Sequence, residues 1–287
     1  MTDQASKLRA LARAEVPEST LFHSRVMAIT SGKGGVGKTN VVAGLAMSLA
    51  NVGQRVVVLD ADFGLANIDI LLGLTPTHTL EHVLRGEKLL EEILLDGPNG
   101  IKVIPASSGI QELTRLDAAA ELRLVQGLQR VSENQDWLLI DTAAGIHDSV
   151  LKLLMAAQEI LLVTTPEPTS LVDAYAMVKV VHLRDPRKPI WLVVNNAQSE
   201  TEAEETIEQL QAATLRFLGR ELHVLGMIPA DPFLLQAVRQ QRGVVEVFPR
   251  SPSALAFRTI ADQLKKKVPL QKGGFASFWK QLSLEES

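Results

Sequence analysis

Three stretches follow one another almost without a gap: Arg25-Val-Met-Ala-Ile-Thr30, Ser31-Gly-Lys-Gly-Gly-Val-Gly-Lys-Thr39 and Val41-Val-Ala-Gly-Leu-Ala-Met-Ser-Leu-Ala50. An apolar run that reads as a strand leads into a glycine-rich loop, and the loop opens a helix-like segment. Such a junction points main-chain N–H groups into one small volume at the positive end of a helix, which suits a phosphate. The stretch from Gly32 to Thr39 fits the spacing G-x-x-x-x-G-K-[ST]. Gly32, Gly34, Gly35 and Gly37 allow the tight wrap, with Val36 among them. Lys38 can reach the outer phosphates of a nucleotide, the Thr39 hydroxyl can hold Mg²⁺, and Asn40 completes the loop-side set.

Composition narrows the classes. The 287 residues suit a single α/β unit, and 46% hydrophobic content can fill a large core. A formal net charge of -4 and the lack of a long Lys/Arg run argue against direct nucleic-acid binding. There is no cysteine, which removes disulfides, thiol catalysis and thiolate-held clusters. The first residues lack the apolar core of a signal peptide and no run has the length of a membrane span, so a cytoplasmic protein is expected.

Further strands end in carboxylates. Gln54-Arg-Val-Val-Val-Leu-Asp60-Ala-Asp62-Phe-Gly64 and Asp136-Trp-Leu-Leu-Ile-Asp141-Thr-Ala-Ala-Gly145 are near-continuous apolar runs, the pattern of strands buried on both faces. Ligands of open parallel sheets sit at the carboxyl ends of such strands. Asp60 and Asp62 can there bind Mg²⁺ through water or hold an attacking water in line with the γ-phosphate. Asp141 can orient the Mg²⁺ hydration shell, and Gly145 can let the main chain swing with the γ-phosphate. Ile160 to Thr165, Ile190 to Asn196 and Leu222 to Asp231 read as more strands. The carboxamide of Asn195, or secondarily Asn196, suits the edge of adenine or a turn. His78 to Leu95, Asp117 to Ser132, Ser170 to Leu183, Glu202 to Phe217, Phe233 to Arg242 and Pro252 to Leu264 read as helical. His78 and His82 stand four apart without a third ligand, so they read as solvated surface. The alternation specifies an α/β fold, a doubly wound and mostly parallel sheet.

The ends differ from this body. Residues 1–20 carry a short Ala/Leu/Arg-rich stretch, too brief to be a stable helix alone, and are expected to order on a partner. Residues 21–264 form the ATPase domain of this reading, and 265–287 a basic linker and amphipathic helix. Phe275, Phe278, Trp279 and Leu282 fall on one helical stripe beside a lysine cluster that anionic lipid attracts.

Lys33, directly after the first glycine, resembles the second lysine of the deviant phosphate loop in the MinD/ParA ATPases. That resemblance implies a homodimer when ATP is bound, with Lys33 reaching the partner's nucleotide. It implies Asp62 as the water-activating aspartate, Asp60 as its Mg²⁺-side neighbour, Gly64 and Gly145 as switch positions, and Asn195 as a base contact. The main chain at Pro229 and Asp231 would flank the base. Ala143 stands where that family usually has proline, which softens the switch segment. Asp3, Gln4, Leu8 and Arg9 match the Asp-Gln-x-x-x-Leu-Arg element of the FlhG flagellar number regulators, also called FleN, and Leu65 to Leu74 and Phe248 to Phe257 are similar to that group too. The likeness implies a slow Mg²⁺-dependent ATPase at the inner membrane surface, including the cell pole. Its implied partners are the GTPase FlhF, flagellar C-ring switch proteins and a master transcription activator. Two alternative readings stand beside it: a MinD-type division-site regulator, which shares the cycle and a membrane tail but not the Asp3 to Arg9 element, and a ParA-type DNA- or cargo-positioning ATPase, a nucleic-acid binder. A tyrosine-kinase relative would need acceptor tyrosines, and the chain has only Tyr175.

Overall fold

In every central strand, alternate side chains are buried on opposite faces, and this period of two builds the molecule. The computed structural model describes residues 24–62, 67–105, 118–132 and 134–267. Asp3, Gln4, Leu8, Arg9, Gly64, Phe275, Phe278, Trp279 and Leu282 lie outside the described residues. The strands are β1 (Arg25–Thr30), β2 (Val56–Ala61), β3 (Leu95–Asp96), β4 (Lys102–Ile104), β5 (Trp137–Thr142), β6 (Glu159–Thr164), β7 (Ile190–Ala197) and β8 (His223–Pro229). They form one sheet in the order β3-β4-β2-β5-β1-β6-β7-β8. Every neighbouring pair is parallel except β3 with β4 at the edge.

The longer helices are α1 (Lys38–Asn51), α2 (Ala118–Ser132), α3 (Asp148–Ala156), α4 (Pro168–Arg184), α5 (Glu200–Leu218), α6 (Pro232–Arg239) and α7 (Pro252–Lys266). Val26 and Ala28 of β1 belong to one apolar cluster with Leu124, Leu154, Val178 and Leu210 from α2 to α5. Met27 and Ile29 belong to the other, with Leu45 and Leu49 of α1 and Phe257 and Ile260 of α7. Burying each large apolar side chain contributes about 1.5–3 kcal/mol, so a sheet covered on both faces is held by two such layers at once.

Sequence periodicity and structure part company at the edge. His78 to Leu95 reads as one helical stretch, but forms two single-turn helices, Leu80–Leu84 and Leu90–Ile93, before β3. Gly86, at φ +77°, breaks the segment between them. His82 is spent locally: its Nδ1 accepts the Thr79 N–H at 3.1 Å in a capping box at the first of these turns. Among the described residues no group of His, Cys, Asp or Glu could hold a metal ion as a cluster of three, and no helix is long and apolar enough to cross a membrane.

Candidate nucleotide site

β1 runs through the middle of the sheet, and its carboxyl end is where the glycine loop begins. Its neighbours are in a register that aligns their ends: Ile29 lies opposite Asp141, and Asp141 opposite Asp60. Both aspartates alternate with residues of the α2–α5 cluster, so they face α1, the helix that the loop opens. The strand pattern alone thus brings two carboxylates under the start of α1.

The loop is held from several sides. The Val36 side chain is buried in the α1 cluster. Gly32 is pressed by α4, since a Cβ there would meet the main-chain carbon and oxygen of Asp173 at 2.3 Å, too close for any side chain. Gly37 caps α1 at φ +83° with Gly35 at +82°, a left-handed alternation that gathers successive N–H groups into an anion-binding nest. Ser31 Oγ donates to Lys33 O at 2.9 Å, and the Gly145 N–H donates to Ser31 O at 3.0 Å. The segment after β5 is therefore tied to the phosphate loop by its own main chain.

The two loop lysines differ in every respect. Lys38 is buried and donates to Asp141 Oδ1 at 2.5 Å, with the carboxylate itself fully buried. Lys33 is 39% exposed and donates to Glu167 Oε2 at 2.8 Å and Thr169 Oγ1 at 3.0 Å, turned away from its own loop. A surface pair of this kind is worth about 1 kcal/mol or less, so Lys33 leaves it at little cost.

Burial, reinforced by the Asp141 charge, pushes the Asp60 carboxyl up to about 7, against N–H donation from Asp62, Ile68 and Asn67. Burial likewise pushes Asp141 up, against the pull of the Lys38 ammonium and the Thr39 hydroxyl. Asp60 Oδ1 accepts from Asp62 N at 3.1 Å, and Oδ2 from Asn67 N at 3.0 Å and Ile68 N at 3.3 Å. Asp60 therefore caps the short helix Ile68–Leu71 and gathers both ends of the 62–67 segment, a role set by turn geometry that spacing does not reveal. Asp141 Oδ2 is buried and has no hydrogen-bond partner. Two registered buried carboxylates, one with an orphaned oxygen, together with the Thr39 hydroxyl that bears on Asp141, fit a Mg²⁺ ion with its water shell.

The residues expected around the base divide. Asn195 is 4% exposed, and its Nδ2 donates to Val36 O at 2.7 Å. Asn196 is exposed at φ 59°. Pro229 ends β8, and the next N–H, of Ala230, donates to Ala197 O at 2.8 Å. Burial pushes Asp231 up, but donation from Ser253 and from the Phe233 N–H holds its carboxyl below the usual range. Asp231 is thus the cap of α6 and its tie to α7, and only its main chain is free for a ligand.

Comparison with known proteins points the same way. Residues 23–265 match the ParA family model, described as the NUBPL iron-transfer P-loop NTPase. With no cysteine in the chain, thiolate ligands for iron are lacking here. Antiactivator FleN of Pseudomonas aeruginosa is 44% identical over 256 residues, 89% of this chain and 91% of that protein. The flagellum site-determining protein YlxH of Helicobacter pylori is 34% identical over 291 residues, 98% of each chain. Among solved structures, the septum site-determining protein MinD from Pyrococcus horikoshii, complexed with Mg-ADP, superposes with a TM-score of 0.69 at 26% identity, covering 85% of this chain and 96% of that one.

Proposed function

The chain belongs to the MinD/ParA family of P-loop ATPases, in its FlhG/FleN branch, and on that premise we propose that it is an ATP-driven dimerisation switch controlling flagellar number and placement. The observation that carries this reading is the contrast between the lysines: Lys38 is locked inside the site on Asp141, while Lys33 waits at the surface on a weak pair.

The main chain of residues 34–38 binds the phosphates, and Lys38 moves from Asp141 to the outer oxygens. Asp141 and Thr39 would hold Mg²⁺ through its water shell, and the cation would supply charge that offsets the phosphates. Asp62, carried on the segment that Asp60 gathers, holds the attacking water. The base lies at the exits of β7 and β8, flanked by main chain at Pro229 to Asp231. Two copies face each other through their phosphate loops, and Lys33 crosses to the partner's triphosphate as an arginine finger does. Slow hydrolysis frees the γ-phosphate and lets the Gly145 segment relax, which separates the copies. Residues 1–20 engage FlhF, the dimer engages the C-ring proteins and a master transcription activator, and the tail from 265 binds the inner membrane.

Lys38→Ala should abolish ATP binding. Lys33→Ala should bind ATP yet remain single by light scattering in Mg·ATP with hydrolysis blocked by Asp62→Ala, and an ATP-dependent dimer of that variant would refute the crossing lysine. A pull-down from flagellated cells, with and without residues 1–14, tests the FlhF contact.

A further inference from the structure

We infer that Asn195 is a positioning residue of the phosphate loop, one that holds the Val36 carbonyl and thereby aims the Gly37 N–H into the phosphate cradle. The inference rests on the reading of this loop as a triphosphate site, and it gives Asn195 a task other than reading the base.

The geometry starts in β7. Asn195 pairs with Ile228 of β8, and the register then shifts before Ala197, with Asn196 left-handed and exposed. Asn195 follows Trp191 and Val193 of the α1 cluster and is the last of its strand in that alternation, while Ala197, beyond the irregularity, packs with Val194 and Ala203. A carboxamide buried to 4% exposure must be hydrogen-bonded, and its Nδ2 donates to Val36 O at 2.7 Å, across 159 residues of sequence. The contact is close-packed as well as bonded: a Cβ on Gly37 would lie 2.5 Å from that same Nδ2.

Val36 C=O and Gly37 N–H belong to one planar trans peptide, so they point in opposite directions. Fixing the oxygen toward β7 fixes the N–H away from it, toward the loop interior. The buried Val36 side chain anchors the same peptide from the α1 side. Without the Nδ2 donor this peptide can rotate, and the cradle loses a donor aimed in advance at a phosphate.

The full chain is tested with two probes, Mg²⁺ with inorganic tripolyphosphate, which has no base, and Mg·ATP. Asn195→Asp keeps the shape but, ionised, puts an acceptor-only oxygen where Nδ2 was, and that oxygen cannot donate to a carbonyl. It is expected to weaken both probes by the same factor, about tenfold, and to leave the preference for ATP over GTP unchanged. Asn195→Ser, which adds no charge, should show a smaller loss in the same equal proportion. Hydrogen exchange should rise at the amides of residues 34–38 and stay constant in β6 and α4, which a general structural role would not produce. Tripolyphosphate affinity unchanged within about twofold, with loss of the ATP preference, makes Asn195 a base reader and overturns the inference. Exchange rising throughout β6 overturns it too. If the unmodified chain binds neither probe, the triphosphate reading itself falls and takes the inference with it.

Discussion

Gly37 meets two demands that no other residue satisfies together, a φ of +83° and a carboxamide nitrogen where its Cβ would stand. Gly37→Ala should therefore cost about 1–3 kcal/mol in urea unfolding and remove nucleotide binding in calorimetry. At Asp60 the lever is a proton. Its folded pKa of about 7 lies above the ordinary 3.8, so between those values the folded nucleotide-free chain holds a proton that the unfolded chain releases. This stabilisation is complete below about pH 4, is lost as pH rises through about 7, and amounts to at most about 4 kcal/mol. Urea midpoints at pH 5 and pH 8 should fall more for the unmodified chain than for Asp60→Asn, which keeps an acceptor for the Asn67 and Ile68 N–H groups. An equal fall would remove Asp60 as the cause. Asp231 has the opposite sign, since its lowered carboxyl loses stabilisation only as pH falls below the usual carboxylate range. Asp60 and Asp141 were legible as carboxylates ending apolar runs. What each atom bonds to was not: a carboxamide at position 195 suits a base edge or a loop carbonyl equally, and the bond from its Nδ2 to Val36 O shows only once β7 is packed under the loop.

At the scale of elements, legibility followed length. Runs such as Val56-Val-Val-Leu-Asp-Ala61 favour a buried strand because three β-branched valines and a leucine stand in a row directly ahead of the aspartate. The one-turn helices Leu80–Leu84 and Leu90–Ile93 and the two-residue β3 are too short for any period to show; Leu80, Val83, Leu90 and Ile93 bury the two helices in the apolar cluster that also holds Leu124 and Leu128 of α2. The end of α7 has a cause that spacing hides as well. Arg25, the first residue of β1, donates through Nη1 to Leu264 O at 2.8 Å and Lys267 O at 3.0 Å, satisfying carbonyls that a helix end leaves open. Its Nε pairs with buried Glu159, which also accepts from Trp191 Nε1 at 3.1 Å. Arg25→Met should cost about 3–5 kcal/mol, because it leaves Glu159 buried with one cation fewer. Exchange at residues 263–267 should rise before that of α1, and uniform exchange would show that Arg25 does not act on this helix end.

Across the whole molecule, β1 joins two ends with different work. The phosphate loop leaves its carboxyl end at Ser31, and the chain beyond α7 departs from its amino end, where Lys267 Nζ lies 4.5 Å from the centre of the Trp191 ring. Six strand residues place these points about 20 Å apart, so a dimer closed over the phosphates leaves the root of each tail outside the seam. On the proposed function, one tail, weighed against its ordering entropy, would hold a membrane weakly, whereas the second insertion of a closed dimer would be intramolecular. Co-flotation with anionic vesicles should then be about a hundredfold stronger for the Asp62→Ala chain in Mg·ATP than in ADP, and should weaken with salt. The same chain ended at residue 267 should not float in either nucleotide. Lys33→Ala, which keeps the tail and the nucleotide but not the partner, should match the ADP state; if it floats as well as the ATP dimer, the number of tails is not what nucleotide controls.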